Sequence, residues 1–228
     1  MMGGGSKQSS NTFIQLLKSK QKFLFLVLTL LLAELAVTGV VAAKVRRDII
    51  TSKKKSSMST LFFWSLIVVQ FIIICLLATV HTSMIVKTLL FTILSASLGY
   101  VLGYSEQHAD IGVITSAIVS TAALTLILII FGAGLIYGGI NLGNTFGKIL
   151  FLGLLILITY YIVGVFVAST STYYKVASLF GIFLFQLFIV YDTNRILQRN
   201  YNGDFVSAAL DYYLDILNLF VNEQAWSS

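Results

Sequence analysis

Residues Ile111–Gly147 read IGVITSAIVSTAALTLILIIFGAGLIYGGINLGNTFG, and beyond Lys148 the run Ile149–Tyr174 reads ILFLGLLILITYYIVGVFVASTSTYY. Neither run contains Asp, Glu, Lys or Arg. A soluble fold with one covered core does not need uncharged stretches of this length, whereas a helix crossing a bilayer needs about 20 mostly apolar residues. The other residues agree: 57% of the 228 side chains are hydrophobic and 11% charged, against roughly 45–50% and 25% in soluble domains. Seven spans of about 20 residues would use roughly 140. The chain therefore reads as an all-α integral membrane protein, a seven-transmembrane-helix bundle with short connections.

Working outward, runs bounded by charge or turn residues predict helices at about 23–43, 61–80, 85–104, 111–131, 149–168, 175–194 and 205–222. This gives a basic polar tail over 1–22, one transmembrane domain over 23–222 and a short tail over 223–228. The segment 132–148 holds glycines at 132, 134, 138, 139, 143 and 147 and is expected to be a flexible or re-entrant connection. Gly99 and Gly103 make a GxxxG spacing suited to close helix packing. Proline is absent and Cys75 is the single cysteine, within an apolar span and expected in the core. No intrachain disulfide or Cys-based zinc site can form.

The 15 basic and 9 acidic residues give a net charge of +6. The excess flanks the first span, which points to lipid headgroups and not to nucleic acid. With the N-terminus inside, Lys7, Lys18, Lys20, Lys22, Lys87, Lys148, Arg195 and Arg199 oppose Lys44, Arg46, Arg47, Lys53, Lys54, Lys55 and Lys175. Such a balance leaves orientation unassigned by charge.

Acidic side chains inside membrane helices cost roughly 2.5–3.5 kcal/mol each on insertion scales, so each needs a reason. Glu34, Asp192, Asp211 and Asp215 qualify. In the last helix Asp211, Asp215, Asn218 and Asn222 fall at steps of four, three and four, on one helical face expected to point inward. If the chain reverses between Gly203 and Asp204, antiparallel positions totalling 407 lie level, and 192 with 215 is such a pair. Facing carboxylates in a low dielectric share a proton, are bridged by a cation, or pair with a base. This makes Asp192 and Asp215 a candidate proton-sensing or cation-coordinating site, with a shared-proton lock between helices 6 and 7 as the alternative; Asp211, one turn nearer the link, either extends a cation path or reaches interfacial water. Glu34 is read as a carboxylic acid bonding a neighbouring helix, with a role in permeation as the alternative. Gln70 and Gln186 are expected to hydrogen-bond between helices. Glu106, His108 and Asp110 read as solvated loop groups.

The stretch Phe188-Ile-Val-Tyr191-Asp192-Thr193-Asn194, followed by Leu214-Asp215-Ile216-Leu-Asn218-Leu219-Phe220, resembles the paired hallmark of the transmembrane Bax inhibitor motif family, which includes Bax inhibitor, lifeguard and Golgi anti-apoptotic proteins. The resemblance implies seven membrane helices and a cytosolic N-terminus. It also implies a passive Ca²⁺ leak from intracellular stores, in endoplasmic reticulum or Golgi membranes, and suppression of cell death, which makes apoptosis-regulating membrane proteins candidate partners. Asp192 and Asp215 would be the pH-sensing gate, with Ca²⁺ as permeant ion and metal ligand and no cofactor. The family's basic residue near the end of helix 2 is replaced here by His81-Thr82. An imidazole there would titrate near neutral pH. Asp211 stands where many members have Asn.

Two enzyme-like or pump-like alternatives fail on residues. An intramembrane aspartyl protease would carry its second aspartate in a Gly-x-Gly-Asp context and a Pro-Ala-Leu motif, but Asp215 follows Tyr213-Leu214 and the chain has no proline. A light-driven pump would need a lysine in helix 7, and none lies there. The alternative of a different class is a membrane interaction protein that regulates cell death without conducting ions.

Overall fold

The computed structural model describes residues 4–51, 59–80, 82–166 and 170–228. They form α1 (Gly4–Thr51), α2 (Thr60–Thr79), α3 (Met84–Ser105), α4 (Ile111–Tyr137), α5 (Asn144–Phe166), α6 (Ser171–Gln198) and α7 (Phe205–Ser227), with one 3-10 turn at Glu106–His108. No strand occurs among the described residues. Helices α1 to α6 are each long and apolar enough to cross a membrane. Helix α7 differs: its polar residues lower its hydropathy, and much of it is buried against protein. The fold is the all-α membrane bundle read from the sequence.

The helices start where side chains can replace missing backbone acceptors. Ser59 accepts from Phe62 N at 3.1 Å, Asp110 from Gly112 N at 2.6 Å, and Asp204 from Ser207 N at 3.0 Å. Helix α1 begins far earlier than expected, so the basic stretch read as a tail continues the first helix. Lys20 has a structural task there: its Nζ donates to Ile196 O at 2.8 Å and Arg199 O at 2.6 Å, satisfying carbonyls at the end of α6. The residues read as a C-terminal tail likewise continue α7 to Ser227.

Contacts divide the chain into two units. The first contains the beginning of α1, α4, α5, α6 and α7 from Leu214 onward; the second contains α1 from Phe23, α2, α3 and the chain from Gly203 to Tyr213.

In the first unit α6 is the most enclosed helix, buried continuously from Ile189 to Asn194. The glycines expected to loosen 132–148 instead let helices approach it. A Cβ on Gly132 would lie 2.8 Å from Thr193 Cβ and 2.9 Å from Val190 O, and one on Gly147 would meet the Tyr191 ring. Helix α4 therefore runs through Gly132 and Gly134, and the connection shrinks to residues 138–143, where Gly139 takes φ +79°. We expect Gly132→Ala to lower stability by about 1–3 kcal/mol, the usual cost of overpacking, read as a fall in the thermal midpoint in detergent. A Gly134→Ala control, with open space at its Cβ, should leave it nearly unchanged.

In the second unit the GxxxG spacing acts as read. A Cβ on Gly99 would lie 2.6 Å from Thr38 O, and one on Gly103 would strike the Ala42 backbone, so α3 lies directly against α1. Cys75 is exposed on α2 and is not a core residue. An unbroken apolar run identifies a membrane helix but does not say which of its faces meets lipid.

Candidate functional site

The sequence Tyr191-Asp192-Thr193-Asn194 is a set of four side chains with separate tasks. Tyr191 packs toward α5, its ring 5.9 Å from that of Phe146. Thr193 donates to Ile189 O at 2.8 Å and sits beneath Gly132 of α4. Asn194, fully buried, accepts from Leu142 N at 2.9 Å and donates to Ile140 O at 3.1 Å. It thereby holds the turn between α4 and α5, and Gln198 Nε2 donates to the same Asn194 oxygen at 2.9 Å. Three of the four residues thus lock α6 against its neighbours, leaving Asp192 as the one that brings an ionisable group into the packed interior. We expect Asn194→Ala to cost about 1–3 kcal/mol, because it removes two hydrogen bonds to the turn, from the half-buried Leu142 N–H and to Ile140 O, each worth about 0.5–1.5 kcal/mol; a urea or thermal titration would read this.

Asp192 and Asp215 are 5% and 6% exposed, both in the first unit. Within that unit the Asn222 side chain of α7 packs over Gly181 of α6.

Asp192 also has a cation beside it. Arg195 Nη1 lies 3.6 Å from Asp192 Oδ1, one helical turn on, with the guanidinium 5.8 Å from the Tyr201 ring centre. Sequence reading counted Arg195 only among the charges on the inner side, although its i,i+3 spacing from Asp192 was the available signal.

The auxiliary residues divide. Asp211 is half-buried on α7. Asn218, expected inward, is exposed and donates to its own Leu214 O at 2.7 Å, while Asn222 is buried and accepts from Tyr161 OH at 2.9 Å. The buried face of α7 runs through Tyr212, Asp215, Leu219 and Asn222, slightly rotated from the polar stripe. Glu34 is buried at 2% exposure and accepts from Thr92 Oγ1 at 2.7 Å, which is the interhelical bond expected of it. His81 lies outside the described residues. Gln70 is buried, but its Nε2 has no hydrogen-bond partner among the described residues; Gln186 is half-buried. Of the three loop groups, His108 and Asp110 are exposed as expected, whereas Glu106 is buried beneath Arg46, which donates to Glu106 O at 3.1 Å and Ala109 O at 3.0 Å. No group of three His, Cys, Asp or Glu placed to hold a metal occurs among the described residues.

A second ionic contact was not read from the sequence. Lys87, 5% exposed on α3, places Nζ 2.6 Å from Asp204 Oδ2 and also donates to Ser207 Oγ at 3.4 Å. Ser207 donates to the same carboxylate through its N–H at 3.0 Å and its hydroxyl at 2.7 Å. Burial alone would raise the Asp204 pKa, but the bonds from Lys87 and Ser207 and the Lys87 charge outweigh it and hold the pKa below the usual Asp value.

A multi-pass helical membrane protein with buried carboxylates on its last two helices is the class these features define. The family model described as Inhibitor of apoptosis-promoting Bax1 matches residues 20–222, and the chain belongs to that family. Among its relatives, LIFEGUARD 4 of Arabidopsis thaliana is 27% identical over 150 residues, covering 66% of this chain and 60% of the plant protein. The chain thus spans about three fifths of that relative's length. The Golgi anti-apoptotic protein of Vaccinia virus strain Lister is 40% identical over 76 residues, covering 33% of this chain and 32% of the viral protein. An uncharacterized protein of Helicobacter pylori strain 26695 is 33% identical over 103 residues, 44% of each chain.

Proposed function

We propose that this protein is a pH-sensitive passive Ca²⁺ leak of intracellular membranes, gated by Asp192 and Asp215, and that it lowers store Ca²⁺ and suppresses cell death. The observation that carries the reading is the burial of two carboxylates on consecutive antiparallel helices. Charge at that depth is costly without a task, and oxygen ligands suit a hard cation such as Ca²⁺. The Golgi anti-apoptotic relative supports the cell-death role and a Golgi location; an endoplasmic reticulum location and a cytosolic N-terminus are part of the same proposal. The protein works without catalysis or a bound cofactor, Ca²⁺ being cargo, and its resident partner is the bilayer.

Cells expressing the protein should hold less releasable Ca²⁺ in their stores than matched cells that lack it. Equal store content in both, with the expressing cells still protected from death stimuli, would contradict the leak. It would favour the second reading, an interaction protein acting on apoptosis-regulating membrane partners. That reading draws on the relative's anti-apoptotic name, which needs no conduction.

A further inference from the structure

A separate polar cluster lies in the second unit, between α1, α3 and the start of α7, and it does not depend on the leak. Glu34 and Thr38 sit one turn apart on α1; Thr92 and Ser95 face them from α3, and Tyr213 closes the group. Glu34 is 2% exposed, Thr38 2%, Ser95 and Tyr213 0%.

The protons in this cluster can be followed one by one. Thr38 Oγ1 lies 3.0 Å from Glu34 O and 3.1 Å from Ser95 O, so its hydrogen goes to a carbonyl. The Tyr213 hydroxyl, 2.6 Å from Thr38 Oγ1, is then the donor of that pair, and its own lone pairs stay available. Thr92 donates to Glu34 Oε1. One fully enclosed carboxyl oxygen, Glu34 Oε2, remains without a hydrogen-bond partner, and the Ser95 hydroxyl, set against that of Tyr213, keeps its oxygen lone pairs. No Lys, Arg or His pairs with Glu34 among the described residues. A buried acidic group with so little compensation is unusual, and the cluster offers surplus oxygen lone pairs around one carboxyl.

We propose that this cluster is a binding site for a small monovalent cation such as Na⁺, held by the Glu34 carboxylate with the Ser95 and Tyr213 hydroxyl oxygens. A hard cation prefers such oxygen ligands. One carboxylate matches one positive charge, whereas a divalent ion would leave a net charge in the apolar span. Binding would also fasten α1 to α3 at the level above their Gly99 and Gly103 contact.

The test is thermal unfolding of the purified full-length protein in detergent, with NaCl replacing choline chloride at constant ionic strength and pH and with chelator present. Ligand binding to the folded state raises the midpoint with concentration. The parent should show a saturable rise with Na⁺, and Glu34→Gln, which keeps the side-chain shape, should show none. Ser95→Ala removes one ligand hydroxyl and should raise the half-saturating Na⁺ concentration by about tenfold, or about 1.4 kcal/mol. If Glu34→Gln does not fold, Ser95→Ala carries the test, and an unchanged half-saturation in it overturns the site. A parent indifferent to Na⁺, or a Glu34→Gln protein that keeps the full Na⁺ response, also overturns it. A rise produced by Ca²⁺ and not by Na⁺, lost in Glu34→Gln, overturns the monovalent assignment.

Discussion

Liposomes carrying Asp215→Asn, or Asp192→Asn, are expected to release Ca²⁺ at a rate that no longer follows pH. The parent rate should change by roughly tenfold over about pH 5 to 8, the factor carried by one unit of differential proton affinity. Asparagine keeps the size and shape of aspartate, with an NH2 donor in place of one carboxylate oxygen, but has no titrating proton. Either substitution therefore removes the switch while leaving the helix packing in place. Both residues are buried in the first unit, and Arg195 stands 3.6 Å from Asp192, so the two variants need not settle at the same rate. The shared outcome is a flat profile, measured with a lumenal Ca²⁺ dye and a buffered pH series. A variant that keeps the parent profile would remove that aspartate from the gate.

The second large effect concerns Lys87 and Asp204. Asp204→Ala strands a cation that is only 7% exposed at its side chain, and removing one partner of a buried pair costs about 3–5 kcal/mol. Asp204 keeps 21% of its side chain in solvent, which places the expected loss near the lower end. The double replacement Lys87→Met with Asp204→Ala should recover much of it, because no uncompensated charge remains. The pH dependence has a definite sign. The folded pKa of Asp204 lies below its unfolded value, so its contribution is complete above the unfolded value, about 4, and disappears as pH falls through the lower folded value. Thermal midpoints of the parent should drop across that acidic window, and those of Asp204→Asn should drop less.

The helix count was legible because uncharged runs such as Ile149–Tyr174 have only one stable environment. The candidate aspartates were legible for the same reason: a carboxylate inside such a run conflicts with its surroundings. What could not be read was direction. The glycines of 132–148 look like a hinge in isolation, but Gly132 and Gly147 make room for Thr193 and Tyr191, residues more than forty positions away. Asn218 shares a polar stripe with Asp215 by spacing, yet helix rotation turns it outward and it bonds its own backbone. Lys87 was counted only among the charges on the inner side, because its partner Asp204 lies 117 residues away.

The measurement closest to the proposed leak is Ca²⁺ efflux from liposomes holding the purified full-length protein, run from about pH 5 to 8 beside empty liposomes of the same lipid. A flux well above the empty vesicles that changes steadily with pH is the predicted result. Folded, inserted protein that releases no more Ca²⁺ than empty vesicles at any pH would contradict it.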